Sequence, residues 1–237
     1  MSAHPTQPFL SSFGRNRGRS LRPYQQSLVD DVLPTISPPY VHGEGGRRVL
    51  REWAGALDLP AQQRVALEIG FGAGEHLLAQ AAHHPDTLWI GCEPYINGVA
   101  KCLAGMVERE LANIRFCTYD ARHLIQALPD QCLDSVFILF PDPWPKVRHN
   151  KRRLVSVETL AMLARVQKPG GRLLLATDHV DYSVWMLEHL AATPHYRWSA
   201  ESQADWQTPP ADWTQTKYQR KTTAQGREPI FLECKRV

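Results

Sequence analysis

Five short apolar runs in this chain of 237 residues each end in a carboxylate: Ala66-Leu67-Glu68, Ile90-Gly91-Cys92-Glu93, Cys117-Thr118-Tyr119-Asp120, Leu139-Phe140-Pro141-Asp142 and Leu175-Ala176-Thr177-Asp178. The acids recur at intervals of 25, 27, 22 and 36 residues, each long enough for one strand and its crossover helix. Strands alternating with helical stretches build a parallel sheet covered on both faces. In such a sheet, ligands bind just outside the carboxyl ends of the strands. The five acids are therefore expected to converge on one crevice, which would repel phosphate and suit a cationic ligand.

The hydrophobic pattern predicts strands at 64–69, 87–92, 114–119, 133–140 and 171–177. Helices are expected at about 74–83, 95–111, 121–128 and 151–167, with Lys168-Pro169-Gly170-Gly171 as a helix stop and turn. A further helix follows at about 181–192. Tyr196-Arg197-Trp198 and Pro229–Lys235 read as two late strands in a hairpin, joined by a loop rich in Trp, Pro and Thr. Residues 24–237 are read as a single domain, doubly wound around a mostly parallel seven-stranded α/β sheet that ends in an antiparallel hairpin. Residues 1–23 read as a flexible basic arm, because no acid precedes Asp30 while Arg15, Arg17, Arg19 and Arg22 cluster there. The same composition fits an organellar transit peptide, without the amphipathic stripe that would accompany one. No apolar run approaches the ~18 residues needed to span a bilayer. The five cysteines are dispersed, with no Cys-x-x-Cys pair, as expected of reduced thiols in a cytoplasmic protein with no disulfide framework and no metal.

Gly70-Phe71-Gly72-Ala73-Gly74 follows the first strand and opens a helix, the context in which a glycine run lets a ligand approach the backbone. The dinucleotide fingerprint would place its last glycine at position 75, which is Glu75. A glutamate there opposes the pyrophosphate that a helix N-terminus attracts, so a nicotinamide enzyme is disfavoured. The pattern from Glu68 through Gly74, with Glu93 ending the second strand, resembles the class I S-adenosylmethionine-dependent methyltransferases. That resemblance implies Gly70 and Gly72 in a cofactor loop. It also implies Glu93 on the ribose hydroxyls, Glu68 near the methionine ammonium and Asp120 near the adenine amino group. All of these ligand groups are donors, and an ionised carboxylate only accepts.

Pro141-Asp142-Pro143-Trp144-Pro145 follows the very apolar fourth strand, and its three prolines exclude regular structure. It presents one carboxylate and one indole, suited to a base's N–H groups and its face. Lys146, Arg148, His149, Asn150, Lys151, Arg152 and Arg153 come next, just where a helix is expected to begin. Cations there work against the macrodipole by about 0.3–1 kcal/mol each, which makes phosphate binding the more attractive explanation.

These motifs, with Leu67–Gly72, Ala176-Thr177-Asp178, Phe13–Arg19 and Thr216-Lys217-Tyr218, closely resemble the bacterial tRNA (guanine-N7-)-methyltransferase family. The resemblance implies Asp142 as the catalytic residue, and Lys146, Asp178, Thr216, Lys217, Tyr218 and Gln219 on the substrate. It further implies Arg148 to Arg153 on the RNA, S-adenosylmethionine as cofactor and tRNA as partner, with no membrane. Gln219 stands where the family usually has Glu, so one acceptor is kept and the charge is lost. Guanine N7 carries a lone pair and no proton, so catalysis is expected to rest mainly on positioning. A class I methyltransferase acting on another nucleic-acid or protein nitrogen is the alternative. Monomer and homodimer are both compatible with the sequence.

Overall fold

The computed structural model describes residues 14, 18–57 and 63–237. Arg15 and Arg17 of the basic segment lie outside the described residues. The seven strands are β1 (Arg64–Ile69), β2 (Thr87–Cys92), β3 (Ile114–Cys117), β4 (Leu133–Leu139), β5 (Gln167–Thr177), β6 (Tyr196–Trp198) and β7 (Ile230–Arg236). They form one sheet in the order β3-β2-β1-β4-β5-β7-β6. The first five strands pair in parallel, while β7 runs antiparallel to both β5 and β6. The strand order reverses between β1 and β4, which opens the crevice at their carboxyl ends.

Ten α-helices surround the sheet among the described residues: α1 (Pro23–Ser27), α2 (Leu33–Ile36), α3 (Gly43–Ala56), α4 (Glu75–His83), α5 (Ile96–Glu108), α6 (Ala121–Ala127), α7 (Val157–Val166), α8 (Val180–Ala191), α9 (Ala204–Gln207) and α10 (Lys217–Thr223). The alternation of strand side chains divides the core in two. Val65, Leu67 and Ile69 pack with Leu50 of α3, Leu124 of α6, Leu163 of α7 and Met186 of α8. Ala66, Trp89, Phe137 and Leu174 pack on the other face with Leu77 of α4 and Leu103 of α5. A fully buried leucine such as Leu67, Leu77 or Leu163 contributes about 1.5–3 kcal/mol.

Three expectations change. The helix predicted over 151–167 begins only at Val157, where the Ser156 hydroxyl caps it by accepting from the Thr159 N–H at 3.2 Å. Residues Val147–Arg152 form a separate 3-10 turn. The cations therefore do not sit on the N-terminus of α7, and the macrodipole argument for them falls. The stop at Lys168-Pro169-Gly170-Gly171 is not a loop but a bulge within β5, whose pairing with β4 jumps from Leu133↔Gln167 to Ser135↔Arg172. Gly170 supplies its left-handed backbone (φ 77°), and Lys168 closes it on Asp134 at 2.8 Å. The loop expected before β7 contains α9 and α10.

The end of the predicted flexible arm is held. The Gly18 N–H donates to Asn97 Oδ1 at 2.8 Å, and Asn97 Nδ2 donates to the Arg19 carbonyl at 2.6 Å, fastening 18–19 to the start of α5. All five cysteines are free thiols. Among the described residues no helix is long and apolar enough to cross a membrane, and no group of three or more His, Cys, Asp or Glu could hold a metal.

Candidate active site

A cleft of about 350 Å³ opens at the carboxyl ends of β1, β2 and β4. Its lining includes Gly70, Glu93, Asp120, Asp142, Trp144 and Arg152. Acids from three of the five predicted strand ends thus share one wall. The glycine loop is pinned to β2 by the Gly70 N–H, which donates to the Cys92 carbonyl at 2.8 Å. Gly72 adopts a left-handed backbone (φ 56°) that points its N–H at Glu93 Oε2, 3.0 Å away. Gly74 is also left-handed (φ 79°), and a Cβ there would lie 2.1 Å from Cys102 Sγ, so only glycine lets α4 start so close to α5.

Glu93 is buried, and its second oxygen accepts from the Tyr95 N–H at 2.9 Å. Burial pushes its carboxyl above the ordinary glutamate range, and the charge of Asp142 adds to the rise. The two backbone N–H groups pull it back by favouring the anion. Asp120 caps α6, accepting from the Arg122 N–H at 3.0 Å and from the Arg122 guanidinium through both oxygens at 2.8 Å. The acid expected to meet an adenine amine is therefore already paired with a cation, Arg122, that the sequence reading passed over. Its signal was a basic residue two positions after a strand-end acid.

Glu68 differs from the other acids. It does not line the cleft but forms a buried pair with His76 of α4, Oε2 to Nδ1 at 2.7 Å, beneath the glycine loop. The His76 ring packs against Phe137 and Trp213. The expected convergence of five acids becomes a convergence of three.

The loop after β4 is held in an uncommon backbone. Phe140 (φ 51°) and Trp144 (φ 45°) are both left-handed without being glycine, at a cost of about 1–2 kcal/mol each. Arg153 offsets this cost. Its side chain is buried, Nε donates to the Pro143 carbonyl at 2.8 Å, and its guanidinium pairs with Asp181 of α8. The rings of Tyr182 and Trp185 lie 5.0 Å from the same guanidinium. An exposed phosphate contact does not fit Arg153; it clamps the proline loop to α8. Arg152, one residue earlier, lies 5.0 Å over the Trp144 ring at the cleft wall, and the His149 ring meets the same indole edge-on. Lys146, Arg148 and Lys151 are exposed, and Asn150 is half-buried. Asp142 is exposed and makes no hydrogen bond or ion pair among the described residues.

The remaining predicted residues do not line this cleft; they cluster beside its Phe140. Asp178 is buried, accepting from the Tyr218 hydroxyl at 3.2 Å and pairing with Arg227 at 2.9 Å. The Tyr218 ring packs on Phe140 of the cleft wall, 5.3 Å between centroids. Thr216 caps α10, its hydroxyl accepting from the Gln219 N–H at 3.1 Å. Gln219 departs from expectation: it is buried, and its carbonyl accepts from Trp213 Nε1 at 2.7 Å. The acceptor foreseen for a guanine edge is already used inside the protein, because Trp213 comes from the same loop and needs a partner for its indole N–H.

A family model described as "Putative methyltransferase" matches residues 62–232. The tRNA (guanine-N(7)-)-methyltransferase of Caulobacter vibrioides is 46% identical over 235 residues, 98% of each chain. The enzyme of the same name from Rhodospirillum rubrum is 44% identical, covering 94% of this chain and 87% of its own. Among solved structures, the 16S rRNA methyltransferase KamB aligns with TM-score 0.53 at 17% identity, covering 84% of this chain and 95% of its own. The 16S rRNA (adenine(1408)-N(1))-methyltransferase from Catenulisporales acidiphilia gives TM-score 0.53 at 18% identity, covering 85% and 97%. At such identity these two carry the fold alone.

Proposed function

The chain belongs to the tRNA (guanine-N(7)-)-methyltransferase family, and on that premise we propose that it methylates N7 of a guanosine in tRNA, with its cleft divided between cofactor and base. The observation that carries this division is the single wall shared by Glu93, Asp120, Asp142 and Trp144.

S-adenosylmethionine, when bound, supplies a methyl group on a cationic sulfur. The cleft suits it: its lining offers carboxylate acceptors, and Gly70 and Gly72 leave open space where a side chain would stand. Glu93 would accept from the ribose hydroxyls, Asp120 from the adenine amine, and Gly70 and Gly72 would let the cofactor approach the backbone. Glu68, paired with His76, would act on the methionine end through the loop above it rather than by lining the cleft.

N7 has no proton to lose, so the residues on the base side need only hold, orient and stabilise. Asp142 is the catalytic candidate: with no hydrogen bond or ion pair among the described residues, it can accept from the guanine N–H edge and offset positive charge that grows on the ring. Lys146 at the loop's end, Asp178 and the 216–219 segment with Lys217 and Tyr218 form the substrate side. Arg148, His149, Asn150, Lys151 and Arg152 present the RNA-facing surface, with Arg153 serving the loop from behind. A single cytoplasmic domain over 24–237 and a basic N-terminal arm that joins it on the RNA complete the reading.

The test is incubation of tritiated S-adenosylmethionine with tRNA lacking the modification, with rRNA and protein in parallel, followed by mapping of the labelled base. Label at guanine N7 of tRNA is expected. Label confined to another base, to rRNA or to protein would sink the assignment.

A further inference from the structure

Glu75 replaces the glycine of a dinucleotide loop, and nothing in the division of the cleft above explains why a carboxylate stands there. Its position does. Glu75 is the first residue of α4, directly after the glycine loop. Its Oε2 accepts from the Lys217 backbone N–H at 2.6 Å, and its Oε1 lies 3.6 Å from Lys217 Nζ. Lys217 is in turn the first residue of α10. One carboxylate therefore sits between the N-termini of two helices, favoured by the positive end of both dipoles and satisfying a backbone donor that neither helix can.

The bridge is reinforced along α4. Gln80 Nε2 donates to the Asp212 carbonyl at 2.5 Å, and the His76 ring packs 5.4 Å from Trp213. Trp213 then fixes Gln219, and Tyr218 meets Asp178 and Phe140. The same helix begins at the loop whose Gly72 N–H is bonded to Glu93. The glycine loop and the segment beside Phe140 are thus joined through one short helix.

We propose that Glu75 is a positioning residue that ties the base-handling segment 216–219 to the cofactor's glycine loop, so that occupancy of one half favours binding at the other. The proposal rests on the functional reading above. Coupling of this kind is reciprocal, and a two-ligand cycle measures it.

The experiment uses the full chain. Affinity for unmodified tRNA is measured with and without S-adenosylhomocysteine, together with kcat and KM for methylation. In the unaltered protein S-adenosylhomocysteine tightens tRNA binding. Glu75→Ala removes that tightening and lowers kcat/KM for tRNA about tenfold, mainly through KM, the scale of one charge-assisted hydrogen bond. Affinity for S-adenosylhomocysteine alone stays within about twofold. Glu75→Asp keeps the charge on α4 but withdraws the reach to Lys217, and should behave like Glu75→Ala. Glu75→Gln keeps the reach without the charge and should retain most of the tRNA affinity. If Glu75→Ala does not fold, the contrast between the Asp and Gln variants carries the test. Unchanged KM and unchanged coupling in the Asp variant, or no coupling in the unaltered protein, would overturn the proposal. If the unaltered protein leaves tRNA unlabelled, the functional reading has failed instead.

Discussion

The two halves of the cleft are built on opposite plans. On the cofactor side, each group comes from the loop directly after its own strand: Gly70 after β1, Glu93 after β2, Asp120 after β3. Each is held by a residue close by in its own loop or by the loop after the adjacent strand, as when Glu93 accepts from Tyr95 two residues on and from Gly72 of the loop after β1. On the base side, the loop after β4 is shaped by Arg153 with Asp181 of α8, and the cluster beside Phe140 is assembled from Asp178, Tyr218 and Arg227. Loops positioned by the sheet alone can be local. A loop that must hold two left-handed non-glycine residues needs support from elsewhere in the chain.

The largest expected effect isolates the base side. Asp142→Ala should lower kcat by on the order of 10²–10³ while S-adenosylmethionine affinity stays within about twofold, the scale of removing one preorganised group at the reacting centre. Calorimetry beside a methyl-transfer assay checks it. Loss of cofactor affinity in parallel with turnover would erase the division between the halves.

Next comes the support. Arg153→Ala should destabilise the fold by about 2–3 kcal/mol, because it strands the Pro143 carbonyl and removes a buried guanidinium from two rings. The exposure of Asp181 keeps the figure below that of a fully buried pair. Arg152→Ala, one residue away, should change the unfolding midpoint little and weaken tRNA binding instead. Thermal unfolding of both variants decides it: equal midpoints would mean that Arg153 is not the clamp.

That contrast also marks how far the sequence could be read. The alternating strands, the glycine run and Glu93 are all local patterns, so β1 to β5 and the cofactor wall were legible within a few residues. Arg153 was not. Six consecutive basic or polar residues, Arg148 to Arg153, look alike in sequence, and only the arrival of α8 turns one of them inward. Gln219 misled for the same reason: its carbonyl was free on paper and is taken by Trp213 in the fold. Glu68 shared the strand-end pattern of Glu93, yet pairs with His76 of the following helix instead of lining the cleft.

A smaller effect sharpens the cofactor side. Burial raises the carboxyl pKa of Glu93, so it takes up a proton at higher pH than an ordinary glutamate at about 4.3. The protonated form accepts less well from ribose hydroxyls. Affinity for S-adenosylmethionine should therefore be flat at high pH and fall as pH drops through that raised value. Glu93→Gln should weaken binding on the order of tenfold and flatten the profile. A Gln variant that keeps the same pH dependence would assign the titration to another group.

The smallest effect concerns the exposed cations beside the base loop. Lys146, Arg148 and Lys151 face solvent, so each phosphate contact should appear mainly in the salt dependence of tRNA affinity. Each alanine replacement should reduce the slope of log K against log salt by about 0.7–0.9. His149 behaves differently from these three. Desolvation lowers its pKa, and the neighbouring charges of Arg152, Lys146 and Lys151 lower it further, so at neutral pH it is an uncharged ring against Trp144. A phosphate drawn to the surrounding cations favours the imidazolium, so tRNA binding takes up a proton and strengthens as pH falls toward that lowered pKa. His149→Ala should remove this acid-side gain while leaving the salt slope at neutral pH unchanged. A neutral-pH slope that drops by the same amount as for Lys151→Ala would mean that His149 is already charged, and that the tract carries one more cation than its surroundings favour.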